Sequence, residues 1–329
     1  MLQFNSLIDR IKTVGPNTFE ALAIDIFKLQ YTHNLVYKEW CDSLKKTPNL
    51  VERLEQVPFL PIEFFKSHDI RTGSWNEQLV FESSGTTGSE TSKHFVHSES
   101  LYLENCVTAF EKEYGELSDY VILALLPSYL ERGHSGLISM VNHFIQKTES
   151  EESGFYLNEF QQLYDHLLSL KETGKKVILW GVTFALLDFA EEYSINFPDL
   201  IIMETGGMKG RREELVRSEV HNRLQDAFGV VCIHSEYGMT ELFSQGYSKG
   251  QGVFQCSNTM AVMGRDMNDP LNYPSKNKTV ALNVIDLANI YTCSFIETKD
   301  LGSVYSDGSF EVKGRLDNSD IRGCNLLVV

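Results

Sequence analysis

Apolar positions in the first sixty residues recur at helical spacing. After Asn17, the residues Phe19, Leu22, Ile26 and Leu29 share one helical face, and Asn17 with Glu20 has the form of a capping box. Pro58 and Pro61, in "VPFLPIEFFKSHDI", break the helical character. Beyond residue 120 the rhythm changes. Short apolar runs alternate with helical patterns: "VILALL" stops at Pro127, "KVILWG" at Gly181, "LIIMETGG" at Gly206 and Gly207, and "VVCIHSEYG" at Gly238. Between the last two runs, Leu215, Val220, Leu224 and Phe228 keep helical spacing up to Gly229. Strand, helix, strand at this rhythm predicts an α/β fold with mostly parallel sheets flanked by helices. The last fifty residues switch to successive strands: "ALNVIDL", "YTCSFIETKDLG" and "SVYSDGSFEVKGR", the last with a hairpin signal at Asp307-Gly308. They predict a small C-terminal β region.

Length and charge narrow the function class. A chain of 329 residues can bury a sizeable core. Its formal charge of -16 argues against nucleic acid and against an anionic membrane surface, both of which reward a basic face. No apolar run approaches the roughly 20 residues of a membrane span. The N-terminal "MLQFNSLIDRIKTVG" lacks a basic stretch followed by an apolar one, so the expectation is a soluble cytoplasmic protein. The six cysteines form neither a C-x-x-C pair nor a zinc-like cluster, which fits reduced thiols.

The chemistry gathers in one loop, "FESSGTTGSETSKHFVHS", between an apolar lead-in and a more helical stretch. Glycine bares backbone N–H groups, and hydroxyls add donors, so Ser83, Ser84, Gly85, Thr86, Thr87 and Gly88 make a cradle for phosphate oxygens. The spacing is not that of a Walker A loop, and Lys93 stands close enough to add a positive charge. Alone, the same residues also read as a flexible surface loop. Three later stretches bear on the choice: "HSEYGMTE" after an apolar strand, "ETKDLG" with Asp300 at a strand end, and "KGRLDNSDIRG" with Arg315 after Gly314.

Together, in this order, the four stretches resemble the adenylate-forming superfamily of acyl-CoA synthetases, luciferases and peptide-synthetase adenylation domains. The resemblance implies the N-terminal-domain fold of those enzymes, with ATP and Mg²⁺ as cofactors. It implies that the Ser84–Gly88 loop grips the phosphates, Tyr237 and Gly238 lie against adenine, and Thr240 reaches the α-phosphate. Glu241 would hold Mg²⁺, Asp300 the ribose hydroxyls, and Arg315 ribose or phosphate through its planar donor fork. "ETGGMKG", with Gly206 and Gly207, resembles the segment whose backbone faces adenine. Taken singly, Tyr237 is also an ordinary core aromatic and Glu241 an ordinary helix-start carboxylate.

"PFLPIEFFKSHDI", "LLPSYLERGHSGL" and the terminal "GRLDNSDIRGC" narrow the resemblance to the acyl-protein synthetases of the bacterial luciferase fatty-acid reductase complex, with phenylacetate-CoA ligases as the next relatives. That branch implies a core over 1–313 and a truncated tail, 314–329, in place of the usual C-terminal domain and its catalytic lysine. Lys93, Lys209 and Lys313 are the candidate substitutes. It also implies that Cys324 takes the acyl group as a thioester and hands it to a partner such as an acyl reductase. Arg322 beside it favours the thiolate and Asp320 opposes that. The substrate is then a fatty or aryl carboxylic acid, with Tyr129, His134, Trp180 and Phe184 as candidate lining residues and His134 as candidate acid or base. Two alternatives stay open: a ligase that acylates coenzyme A, and a non-catalytic nucleotide- or acyl-binding protein. The oligomeric state is open too.

Overall fold

A computed structural model describes residues 2–83, 91–127, 135–206, 215–267, 269, 272–273 and 278–316. The chain divides into two compact units, one of Met1–Gly73 with Met260–Val329, the other of Ser74–Thr259.

The Ser74–Thr259 unit is the α/β body that the alternating runs predict. Five strands run parallel in the order Gly154–Tyr156, Tyr120–Leu125, Lys176–Val182, Ile201–Thr205 and His234–Tyr237. Two antiparallel strands, Gly246–Ser248 and Val253–Cys256, extend the sheet beyond the last of these. The Tyr120–Leu125 strand is buried at every position, which is why it reads as a continuous apolar run and not an alternating one. Helices cover both faces. On one, Phe110 of helix Glu99–Tyr114 and Phe144 of helix Gly136–Lys147 pack on Trp180, with ring centroids 6.3 and 5.9 Å from the indole. On the other, Leu186 of helix Thr183–Glu192 stands so close over Gly181 that a Cβ there would lie 2.7 Å from its Cγ. Phe189 of that helix stacks on Phe228 of helix Arg217–Phe228, which closes at Gly229 as expected. A separate hairpin, Leu79–Glu82 with Lys93–Val96, brackets the Gly-rich loop.

The other unit is an antiparallel sheet against N-terminal helices. Strands Met260–Arg265, Val280–Asp286, Phe295–Val304 and Phe310–Arg315 follow one another, and Leu60–Pro61 pairs parallel with the third. Helix Pro16–His33 lies on this sheet through Phe27, edge-on to Phe295, and through the buried Gln30. The Gln30 amide donates to the Asn289 carbonyl at 3.0 Å and accepts from the Ser294 N–H at 2.9 Å, so its burial leaves neither end unpaired.

Two expectations need correction. The helix after Gly15 starts one residue before the proposed capping box: Pro16 opens it, and the Gly15 N–H is satisfied by Thr18 Oγ1 at 3.1 Å. Glu20 instead accepts from the Leu54 N–H at 3.4 Å. A strand, Lys93–Val96, stands between the Gly-rich loop and the helix that follows, because His94, Phe95 and Val96 are buried in a row.

Gly302 marks where the last hairpin is tightest. A Cβ at this position would fall 1.8 Å from the Glu311 carbonyl oxygen, at the register shift between Leu301 and Gly302. Backbone cannot move aside as a side-chain end can. Gly302→Ala is therefore expected to cost about 3 kcal/mol, read as a lower urea midpoint at unchanged slope; an unchanged midpoint would show that the hairpin can widen freely.

Candidate functional site

Two of the segments singled out by sequence lie together at the carboxyl ends of adjacent parallel strands, where open α/β sheets bind ligands, and a third, on a separate antiparallel hairpin, is tied to them. Thr205 and Glu236 are Cα partners on neighbouring strands. The Thr205 hydroxyl donates to Glu236 Oε2 at 2.6 Å. Thr205 immediately precedes Gly206, and Glu236 immediately precedes Tyr237 and Gly238, so this bond fixes two chain exits relative to each other. The third segment is tied in by His94. Its Nδ1 lies 2.8 Å from the Thr240 carbonyl oxygen, and its ring stacks on Phe243 at 4.5 Å between centroids.

The Gly-rich loop rises from a closed neck. The Ser83 N–H donates to the Ser92 carbonyl at 3.0 Å, and the Ser92 N–H donates back to Ser83 Oγ at 2.9 Å. Lys93 begins the outgoing strand, exposed and opposite Glu82. Ser84, Gly85, Thr86, Thr87, Gly88, Gly207, His134 and Cys324 lie outside the described residues.

The Tyr237–Glu241 turn mixes exposed backbone with buried side chains. Gly238 is exposed, and a Cβ there would meet Glu236 Oε1 at 2.4 Å, so a side chain at this position would have to displace that carboxyl. Tyr237 is buried, tilted against Phe254 at 5.9 Å. Thr240 is half-buried, and Glu241 is 6% exposed. Gly206 is exposed with open space where a side chain would go. Trp180 and Phe184 are wholly inside the core of this unit.

Burial sets the charge states. His94 is fully enclosed, and burial pushes its pKa down to about 4, although the Thr240 carbonyl opposes this. The ring is neutral at pH 7. Because it faces a carbonyl, a pure acceptor, Nδ1 carries the proton. Glu236 moves the other way: burial pushes it up to about 7 against the Thr205 hydrogen bond, and Glu204 pushes the same way. Glu204 is itself buried and accepts from the Thr183 hydroxyl.

Asp300 and Arg315 belong to the other unit and are brought to each other. They are Cα partners across the last hairpin, with Nε 3.6 Å from Oδ1. The Asp300 side chain is 12% exposed and that of Arg315 68%, an enclosed carboxylate beside an exposed donor fork.

Sequence reasoning missed His94, Thr205 and Glu236. Each left a signal: a polar residue inside an apolar strand run, as in "KHFV" and "IHSEY". A buried polar group needs a partner, and here each partner lies on another of the predicted segments.

No protein-family model matches the chain, and no curated protein sequence does. Solved structures do. An open conformation of 2-hydroxyisobutyryl-CoA ligase in complex with 2-HIB-AMP and CoA matches with a TM-score of 0.68 and 12% identity, over 94% of this chain and 78% of that one. The same ligase in the thioesterification state gives 0.69 and 14%, over 94% and 71%. ATP-bound MatB from Rhodopseudomonas palustris gives 0.54 and 16%, over 72% of this chain and 47% of that one. At such identities the likeness establishes the fold: this chain has the mixed α/β fold of adenylate-forming ligases.

Proposed function

We propose that the chain activates a carboxylic acid with ATP as an acyl-adenylate, passes the acyl group to Cys324 and from there to an acyl-accepting protein such as an acyl reductase. One observation carries the adenylation step: two hydrogen bonds, Thr205 to Glu236 and His94 to Thr240, lace the Gly206 segment, the Tyr237–Glu241 turn and the root of the Gly-rich loop into one assembly. The fold shared with ligases solved with ATP or an acyl-AMP supports the same reading. A net charge of -16 suits a small activated acid better than a nucleic acid. No helix among the described residues is long and apolar enough to cross a membrane.

In the first step the substrate carboxylate attacks the α-phosphorus of ATP, and the bond to the β-phosphate oxygen breaks with pyrophosphate leaving. Loop hydroxyls, N–H groups and Lys93 stabilise the charge that develops on the phosphate oxygens. Among the described residues no cluster of three or more metal-ligating side chains exists. Mg²⁺ does not need such a cluster, because it binds through one or two carboxylates plus substrate phosphates. Glu241, with Thr240 beside it, would hold the ion, which neutralises phosphate charge when bound. Tyr237, Gly206 and Gly207 would hold adenine. In the second step the Cys324 sulfur attacks the acyl carbon, its thiol proton is released, and the acyl–phosphate bond breaks to give a thioester and AMP.

The CoA bound in the 2-hydroxyisobutyryl-CoA ligase structures favours a second acceptor, coenzyme A. Exchange of labelled pyrophosphate into ATP, run across a panel of fatty and aryl acids, tests the first step. With the best acid, hydroxylamine-labile label on the protein that disappears in Cys324→Ser identifies the thiol route. Labelled CoA in its place identifies the other acceptor, and no exchange with any acid would overturn adenylation itself.

A further inference from the structure

We infer that His94 is a positioning residue: it couples the strand that follows the Gly-rich loop to the Thr240–Glu241 turn, so that hairpin and turn are held in register. The inference rests on the adenylation reading for its kinetic consequence, but its geometry does not. His94 lies two residues beyond Ser92, where the loop neck closes. It is a Cα partner of Phe81 on the incoming strand, so both side chains leave the same face of the hairpin. Both reach Phe243, His94 stacked at 4.5 Å and Phe81 edge-on at 6.4 Å. Phe243 follows Glu241 by two residues and also packs on Tyr102. A hairpin with an apolar side chain at position 94 could still pack on Phe243 but could slide along it. The Nδ1–H to Thr240 carbonyl bond, at 2.8 Å, removes that freedom.

A histidine suits this place for a physical reason. The Thr240 carbonyl needs a donor, and a charged donor could not be buried so completely without a partner. A neutral imidazole supplies one N–H and a flat ring for stacking at once.

Two variants separate positioning from packing. His94→Phe keeps the ring and loses the donor. His94→Asn keeps an N–H near the Nδ1 position and loses ring volume. Packing alone ranks Phe above Asn, since the smaller side chain leaves a cavity. Positioning ranks them in the opposite order. Expected is a rise of about 10-fold in KM for ATP in pyrophosphate exchange with His94→Phe, set by the lost hydrogen bond, and recovery to within about 3-fold of the parent in His94→Asn, although His94→Asn melts lower. Activity that follows the melting order would overturn the inference. Amide hydrogen exchange over Thr240–Phe243 reads the same coupling without substrate: faster exchange in His94→Phe than in His94→Asn is expected, and equal rates would refute it. If the parent protein shows no exchange activity, adenylation fails while this second measurement still decides the role of His94.

Discussion

Glu241→Gln is expected to lower acid-dependent ATP–pyrophosphate exchange by about 100-fold, the size of effect seen when one preorganised electrostatic contact to a transition state is lost. The substitution keeps shape and removes charge. Glu241 is 6% exposed, at the end of a turn whose backbone is fixed by His94 at Thr240 and by Glu236 beneath Gly238. A carboxylate so enclosed has little room to turn, so on the proposed reading an amide there would leave the metal short of one anionic oxygen. The deficit should show as a higher Mg²⁺ requirement as well as a lower rate, with the melting temperature close to that of the parent. A rate unchanged across a Mg²⁺ titration would remove Glu241 from the metal site.

Strand and helix positions were legible in the sequence wherever burial was one-sided or complete. The run Tyr120–Leu125 and the helical triplet Val220, Leu224 and Phe228 are cases where hydrophobic periodicity and core position coincide. The hairpin around the Gly-rich loop was half hidden, because Lys93–Val96 is only four residues and its polar members, Lys93 and His94, break the apolar pattern. The chemistry divided in the same way. Glycine and hydroxyl residues suggest a phosphate loop, and the family resemblance gives "YGMTE" a nucleotide role, because both rest on residue types that would meet a ligand directly. The lacing residues Thr205, Glu236 and His94 carry no such signature. Their partners are 31 and 146 positions away, a separation that only the folded sheet closes. Asp300 and Arg315 were chosen from separate motifs, and antiparallel pairing set them side by side.

Glu236→Gln is expected to stabilise the protein above pH 7 and to flatten part of its pH dependence. The Glu236 carboxyl titrates near 4.5 in the unfolded chain and near 7 in the folded one, mainly because burial disfavours its ionised form. Between those values the folded protein holds a proton that the unfolded chain has released. Stability from this group therefore falls as pH rises from about 4.5 to about 7, and levels off beyond, for a loss of about 3 kcal/mol. Glutamine keeps an acceptor for the Thr205 hydroxyl and never ionises. Of the groups facing Glu236, Tyr102 and Tyr247 are themselves raised well above 10 and stay neutral, whereas the coupling to Glu204, which also raises the Glu236 pKa, is part of the difference read. His94, held at about 4, adds the opposite trend, stability rising between about pH 4 and 6.5. Because His94 is present in both proteins, the difference between parent and variant isolates Glu236. Urea unfolding at pH 5, 6, 7 and 8 should give a difference that is smallest at pH 5, grows in favour of Glu236→Gln up to pH 7 and then levels off. A difference that does not vary over this range would mean that folding does not raise the Glu236 pKa, and that the Thr205 hydrogen bond offsets the cost of burying the charge.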